Sequence, residues 1–399
     1  PNLLFLGTEF GLWISIDGGK SWAAFKGDKF PAVAVRDLVI QPRDNDLVIA
    51  THGRGIWIID DITPLRTLST DLMSREAAFV TARPVQQRIS GPGGWANGAA
   101  VFVGENPPGG AVLTYYQRTR HLFGPLKLEI LDASGRVVDE LPASKRRGLN
   151  RVEWSMREKP PHVPPAVQLA FAGTQGPRVL PGTYTARMTK GGQVYEHKFD
   201  VGLDRRASFT VEQRKQQYDA AMRVHQLFGE ETAVLDRIQQ LRAGVAAAGA
   251  NTAVDAATKT KLAAFEAKLD DVRKRIVATK EGGAITGEER LREHTDLLYG
   301  AIMGYEGAPG AYQVERIGVL EAELADIEQQ FEGLIAAELP AVNQALRDAD
   351  QPPVAVPAKV PAVADAGISS ANAHWLSTRK RKDRKSMFHS LPQDTVRLR

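Results

Sequence analysis

The spacing of apolar residues changes about halfway along the chain, and this change limits what the chain can fold into. In the first half, short runs alternate apolar and polar residues, as around Leu128 and Ile130, which is typical of half-buried strands. In the second half, apolar residues recur at steps of three and four, as in Leu262, Phe265 and Leu269, which is typical of helices. The 399 residues therefore predict a strand-rich region followed by a helical one.

Composition excludes several classes of protein. Hydrophobic residues make up 43% and charged residues 25% of the chain, so each region can bury a core. The sequence contains no cysteine, which rules out disulfides and thiolate metal sites. It has no run of about 18 apolar residues, so we expect no membrane span. The net charge of +4 comes mainly from residues 379–385, and we expect no nucleic-acid partner.

The first 65 residues read as short strands joined by turns, and one turn carries a defined motif. Residues 15–22 are SIDGGKSW. An aspartate in this position can accept hydrogen bonds from backbone N–H groups of its own turn. Gly18 and Gly19 can adopt positive φ at little cost, and Trp22 brings a large apolar surface back over the preceding strand. The pattern predicts a hairpin turn stabilised by Asp17.

This motif matches the Asp box, S-x-D-x-G-x-[ST]-W, at Ser15, Asp17, Gly19, Ser21 and Trp22. With the later run VRDLVIQPRDNDLVIATHGRGIWIIDDITPL, it resembles the closing blades of large bacterial BNR/Asp-box repeat proteins. Such proteins are often described as glycosyl hydrolase-like or sialidase-like, and they are similar to the sortilin-type propeller. The runs GLNRVEW, LPGTYTARMTKGGQVYEHKF and LYGAIMGYEG extend the resemblance over roughly residues 1–348. It implies that the Asp box is structural and lies away from any catalytic face.

Pattern and resemblance together predict a multidomain protein. We expect the final blade or blades of a β-propeller at residues 1–65 and an immunoglobulin- or fibronectin type III-like β-sandwich at 75–204. An antiparallel α-helical bundle with coiled-coil spacing is expected at 208–348, then a disordered Pro/Ala-rich and basic tail at 349–399. Because one blade cannot bury its faces alone, and because the chain begins inside a strand at Pro1, we expect upstream blades of the same protein.

No catalytic group is predicted in this chain. Asp60 and Asp61 are adjacent carboxylates, and neighbouring strand residues point to opposite faces. They therefore cannot flank one glycosidic bond as an acid and a nucleophile, and a strand end with a turn is the favoured interpretation. Glu9, in a loop, is a minor candidate. The arginine triad and tyrosine nucleophile that the sialidase resemblance implies cannot be assembled here.

Three residues remain as weak ligand candidates. His52 and Arg54 lie in a glycine-flanked turn, and Trp95 is an aromatic residue that could contact a carbohydrate, as could Tyr115 or Tyr116. Gly91–Gly94 lacks the lysine and the strand-to-helix context of a phosphate loop. His197 is expected in the sandwich core and His294 on a polar helix face without metal-ligand spacing. We expect no metal and no cofactor.

The sequence thus favours a non-catalytic C-terminal region of an exported BNR-repeat protein. Its roles would be closure of the propeller and binding or docking, with a glycan or protein as a possible ligand. Two alternatives stay open. The chain could be part of a glycoside hydrolase whose catalytic residues lie in upstream blades, or part of a sortilin-like protein-binding propeller. The family resemblance implies a secreted or periplasmic location.

Overall fold

The computed structural model describes residues 2–26, 30–80, 83–88, 108–282 and 287–359. The chain falls into two compact units. The first is rich in strands and contains the described residues up to 156 together with 181–207. The second is mainly helical and contains residues 157–180 together with 208–359. The two halves with different apolar spacing therefore differ in secondary structure as the sequence predicts.

The strand-rich unit begins with two small antiparallel sheets. Their strands are β1 (Leu4–Thr8), β2 (Gly11–Ser15), β3 (Ala23–Ala24), β4 (Val35–Gln41), β5 (Asp46–Thr51) and β6 (Ile56–Ile59). The sheet orders are β1-β2-β3 and β4-β5-β6. Both sheets contribute to one apolar core, whose buried members are Leu12, Val35, Leu47, Ile49 and Ile62. Each sheet therefore uses one face to cover the other.

Two short helices, α1 (Thr63–Thr67) and α2 (Thr70–Ser74), lead into eight further strands. These are β7 (Ala77–Val80), β8 (Val85–Gln87), β9 (Ala111–Gln117), β10 (Leu126–Leu131), β11 (Val137–Leu141), β12 (Gly148–Trp154), β13 (Gly182–Lys190) and β14 (Gln193–Leu203). They form a five-stranded sheet in the order β11-β10-β13-β14-β8 and a three-stranded sheet in the order β12-β9-β7. All their pairings are antiparallel except β8 with β14.

Aromatic residues from these two sheets meet in one core. Trp154 on β12 is fully buried, and its ring lies 5.2 Å from Tyr184 on β13 and 6.0 Å from Phe199 on β14. Burial of such large rings makes a dominant contribution to the energy of a core. The contact between a residue of the three-stranded sheet and two of the five-stranded sheet indicates that the sheets face each other.

The helical unit is built from α3 (Val211–Ala250), α4 (Ala256–Ile276), α5 (Leu291–Met303) and α6 (Ala311–Asp348). All four helices supply residues to one apolar core. α3 begins with a capping box, in which the side chains of Thr210 and Gln213 are hydrogen-bonded to each other's backbone.

Two of the helices continue through residues that often interrupt a helix. The small-residue segment Gly244–Ala250 is the last part of α3. Its alanines favour helix, and Val245 is buried in the shared core. Pro340 removes one backbone hydrogen-bond donor from the last helix, and α6 continues beyond it to Asp348. The buried residues on either side of the proline, Leu339 and Val342, keep the helix packed on the same core.

Two non-helical segments belong to the helical unit. Residues 157–180, which follow β12, are grouped with the helices and include one short 3-10 turn at Ala172–Thr174. Residues 351–359 follow α6 without regular secondary structure, and Val354 within them is buried in the helical core. The described part of the Pro/Ala-rich segment is thus packed against helices rather than separate from them.

Candidate functional site

The turn after β2 is held by the side chain of Asp17. Its Oδ1 accepts hydrogen bonds from the Ser15 hydroxyl at 2.8 Å and the Ser21 backbone N–H at 2.9 Å. Its Oδ2 accepts one from the Ser21 hydroxyl at 2.5 Å. The Ser21 hydroxyl makes the largest contribution to lowering the pKa of Asp17 to about 2. The carboxylate is therefore ionised and committed to its own turn.

Glycine and tryptophan complete this turn. Gly18 and Gly19 have φ values of 76° and 92°, in the region that favours glycine. The Gly19 N–H donates to the Ser15 hydroxyl at 2.8 Å, and the indole N–H of Trp22 donates to the Gly19 carbonyl at 3.1 Å. The motif residues are joined into a single hydrogen-bonded turn, and this arrangement has a structural role.

The sheet β4-β5-β6 has an open apolar face. Val39, Val48 and Ile58 lie side by side on its three strands, on the opposite face from the buried Leu47 and Ile49. Val39 is exposed, and Ile58 is 58% exposed. Ile56, two residues before Ile58 on the same face, is 71% exposed. A row of solvent-exposed aliphatic side chains across three strands is uncommon on protein surfaces. Such contiguous apolar patches are typical of interaction sites.

The sheet β1-β2-β3 has a similar open face. Leu6 on β1 pairs with Trp13 on β2, which pairs with Ala24 on β3. Leu6 is 47% exposed, and Trp13 is also exposed. The neighbouring pair Phe5 and Ile14 lies on the opposite face, against the core shared with the other sheet. The two sheets are therefore packed together with an apolar face left open on each outer side.

The turn between β5 and β6 contains the ligand candidates His52 and Arg54, both exposed. The His52 N–H donates to the Ala34 carbonyl at 2.9 Å, and the Arg54 carbonyl accepts from the indole N–H of Trp57 at 3.0 Å. The backbone of each residue thus helps to build the turn. The exposed side chains stay accessible as candidates for ligand contact.

Asp60 and Asp61, the two adjacent carboxylates, follow directly after β6. Asp61 has a φ of 48°. Its N–H donates to Asp46 Oδ1 at 2.9 Å, and its Oδ1 accepts from the Thr63 N–H at 3.1 Å. The same carboxylate lies 3.2 Å from Arg83 Nε. Burial, with a further contribution from Asp46, raises the pKa of Asp60. Asp61 is occupied in the turn that leads to α1.

The remaining candidates of the strand-rich unit divide into three cases. Trp95 lies outside the described residues. Tyr115, considered as an exposed aromatic for carbohydrate contact, is fully buried, so that prediction is wrong. Its position on β9 places the ring in the core. Its hydroxyl donates to the Ser144 carbonyl at 3.0 Å. Glu9 is exposed and forms an ion pair with Arg36 at 2.9 Å.

His197 and His294 lie in different surroundings. His197 stacks on Phe79 with 6.0 Å between ring centroids, and burial lowers its pKa. His294 Nδ1 lies 3.8 Å from a Glu289 carboxylate oxygen. Within the described ranges, no three or more His, Asp or Glu side chains are grouped so that they could hold a metal ion.

A buried acidic group in the helical unit has no signal in the sequence. Glu231 on α3 is fully buried, and this burial raises its pKa to about 8. The Thr295 hydroxyl lies 2.5 Å from Glu231 Oε1 and 2.9 Å from the Leu291 carbonyl. A hydroxyl has one hydrogen to donate. If Glu231 keeps its proton, it can donate to Thr295, which then donates to Leu291, and both hydrogen bonds are made.

A second buried cluster joins residues 157–180 to the helices of the same unit. The Arg214 side chain is fully buried, with Nε 2.9 Å from Glu306 Oε2, and Arg178 Nε lies 3.1 Å from Glu306 Oε1. Arg157 donates to the Gly176 carbonyl at 2.9 Å. Burial lowers the pKa of both Arg157 and Arg214. One carboxylate bridging two guanidiniums is a geometry suited to holding segments together.

The comparisons with known proteins identify no family. No protein-family model matches the chain, and no curated protein matches it in sequence. Over the described residues, every helix is too short or too polar to cross a bilayer.

Proposed function

We propose that this chain is the non-catalytic C-terminal region of an exported BNR/Asp-box propeller protein. Strands β1–β6 are parts of two neighbouring blades that become complete with upstream blades of the same protein. The following eight strands are an immunoglobulin- or fibronectin type III-like sandwich, and the helices form an antiparallel bundle. These two parts serve stability and docking. Whether the upstream blades are catalytic or bind protein, this chain contributes closure and attachment.

The open faces on both outer sides of the first two sheets support this proposal most directly. In a propeller, each blade packs between two neighbours, so both of its faces are covered. Here Leu6 and Trp13 mark one uncovered face, and Val39 and Ile58 mark the other. A further blade on each side would bury both faces. At about 25 cal/mol per Å² of apolar area, such burial is a strong driving force.

Each of the two sheets, as far as it is described, has one strand fewer than a usual complete blade. A propeller blade is usually a four-stranded sheet, and each of the two sheets has three strands among the described residues. The hydrogen-bonded Asp-box turn lies at the end of β2. Asp17 and Asp61 are engaged in turns, so the proposal assigns no acid or base to this chain.

A lysine on the open face tests the proposal. Ile58→Lys in this chain alone replaces an exposed side chain, and we expect the free energy of unfolding to change by less than about 0.5 kcal/mol. In the parent polypeptide with its upstream blades, the lysine would be buried without a partner. We expect a loss of about 3 kcal/mol there, measured by chemical denaturation of both proteins.

Val194→Lys serves as the matched control. Val194 is 57% exposed on β14, away from the proposed blade contacts, and it should be silent in both proteins. An Ile58→Lys variant that is equally stable in both contexts would contradict the proposal. Turnover of glycosides by this chain would contradict its non-catalytic assignment.

A further inference from the structure

The segment after α6, residues 351–359, is bound to the helices at defined points. The chain reverses at Asp350, which has a φ of 53°, and the Gln351 N–H donates to the Leu346 carbonyl at 2.8 Å. From there the segment follows the groove between α3 and α6, which we call the strap groove. Its contacts come from Gly244 and Arg237 on α3, and from three residues of α6, namely Glu328, Glu332 and Asn343.

Asn343 recognises the backbone of the segment. Its Nδ2 donates to the Val354 carbonyl at 3.0 Å, and its Oδ1 accepts from the Val354 N–H at 2.8 Å. One side-chain amide thus satisfies both backbone groups of one residue, as a neighbouring strand would. This contact requires an extended backbone at Val354 and does not depend on the identity of the side chain.

The side chain of Val354 fits a site in the helical core. It is 8% exposed and packs with the core residues of the four helices. A Cβ added at Gly244 would lie 3.2 Å from Val354 Cγ1. The glycine therefore leaves room for a small branched side chain, and this contact selects for shape.

Charged groups bind the end of the segment. Lys359 Nζ lies 2.6 Å from Glu328 Oε1 and 3.8 Å from Glu332 Oε1. Arg237 donates to the Pro357 carbonyl at 3.4 Å and forms an ion pair with Glu332 at 2.7 Å. The groove thus offers an amide for the backbone, space for an apolar residue and two carboxylates for a cation. These are the elements by which proteins recognise extended peptides.

We propose that the strap groove is a peptide-recognition site, which residues 351–359 occupy within the same chain. Its partner in trans is an extended Pro/Ala-rich polypeptide segment with a small branched apolar residue and a lysine or arginine five positions later. The tethered segment acts as a competing ligand and must be displaced before the partner binds. This inference rests on contacts within the helical unit and is independent of the propeller assignment.

The test uses the full chain with residues 351–359 replaced by an equal length of Gly and Ser, and a fluorescent peptide QPPVAVPAK as the probe. We expect the vacated groove to bind the probe in fluorescence anisotropy titrations. The wild-type chain should bind it at least tenfold more weakly, because a short tether gives its own segment an effective concentration of about 1 mM. Two controls define the site. A probe carrying V354D and a vacated chain carrying Asn343→Leu should each weaken binding at least tenfold.

Circular dichroism separates the outcomes. A vacated chain that keeps its helical signal and binds the probe with these dependences supports the proposal. A helical vacated chain without probe binding overturns it, as does equal binding of the V354D probe. Loss of the helical signal on replacement also overturns it, because the segment would then be an integral part of the core and could not be exchanged for a partner.

Discussion

At the scale of single residues, Glu231 is the group with the largest consequence for stability. It is fully buried on α3, with Arg292 and Glu293 of α5 and Glu323 of α6 as the charged groups that influence it. Burial raises its pKa from 4.5 to about 8. Between these two values the folded protein holds a proton that the unfolded chain releases. The free energy of unfolding must therefore fall as the pH rises through this window.

Glu231→Gln tests this pH dependence. The amide is neutral at every pH and can still donate to Thr295, so the variant should lack this contribution to the slope. From pH 5 to pH 8.5 we expect the wild-type helical unit to lose on the order of 4 kcal/mol relative to the variant. Denaturant unfolding followed by far-ultraviolet circular dichroism measures it. Glu315→Gln, at an exposed position on α6, is the control. Equal slopes for wild type and Glu231→Gln would show that Glu231 is not protonated in the fold.

Asp17 and Glu231 also show what can be predicted from sequence at this scale. The partners of Asp17 lie two and four residues away, so a short motif contains the whole interaction. Thr295, the partner of Glu231, is 64 residues away, and no local pattern distinguishes this glutamate from the solvated ones. The buried arginines around Glu306 depend on distant segments in the same way.

At the scale of elements, the packing of β1 against β4 depends on Gly7. A Cβ at this position would lie 2.8 Å from Val35 Cγ1 and 2.9 Å from the Val35 carbonyl oxygen. Both distances are too short, and the second involves backbone. Gly7→Ala should therefore force the two sheets apart and destabilise the strand-rich unit by about 1–3 kcal/mol.

Thermal unfolding of the strand-rich unit, followed through its tryptophan fluorescence, measures this loss. Gly202→Ala on β14 is the matched control, since its Cβ would have the Val85 carbonyl oxygen as its nearest neighbour at 3.8 Å, an ordinary contact. If Gly7→Ala were as well tolerated as Gly202→Ala, the close packing of β1 on β4 would be wrong.

The helices show why element types were easier to predict than boundaries. Apolar steps of three and four place Leu262, Phe265 and Leu269 of α4 in the core, and this periodicity can be read locally. The ends depend on tertiary contacts. Burial of Val245 keeps α3 helical to Ala250, and burial of Val342 keeps α6 helical beyond Pro340. The helix propensities of the local residues give no information about either of these tertiary contacts.

At the scale of the whole molecule, the chain divides into a strand-rich and a helical unit, but the division does not follow the chain continuously. Residues 157–180 were predicted within the β-sandwich region, and the structure groups them with the helices. In this segment Arg157 donates to the Gly176 carbonyl and Arg178 forms an ion pair with Glu306. An alternating strand pattern does not predict either contact. The order of strands before helices could be predicted from the periodicity of apolar residues. The grouping of residues 157–180 with the helices could not.

The account depends on the open sheet faces being covered by blades of the same protein, and cysteine labelling tests this most directly. The chain has no cysteine, so Ile58→Cys introduces a single thiol on the open face of β4-β5-β6, and Lys198→Cys, at an exposed position on β14, provides a reference. We expect both thiols to react rapidly with a maleimide in this chain. In the polypeptide that also carries the upstream blades, Lys198→Cys should react as before, and Ile58→Cys should react at least tenfold more slowly. Equal reactivity of Ile58→Cys in the two proteins would contradict the account.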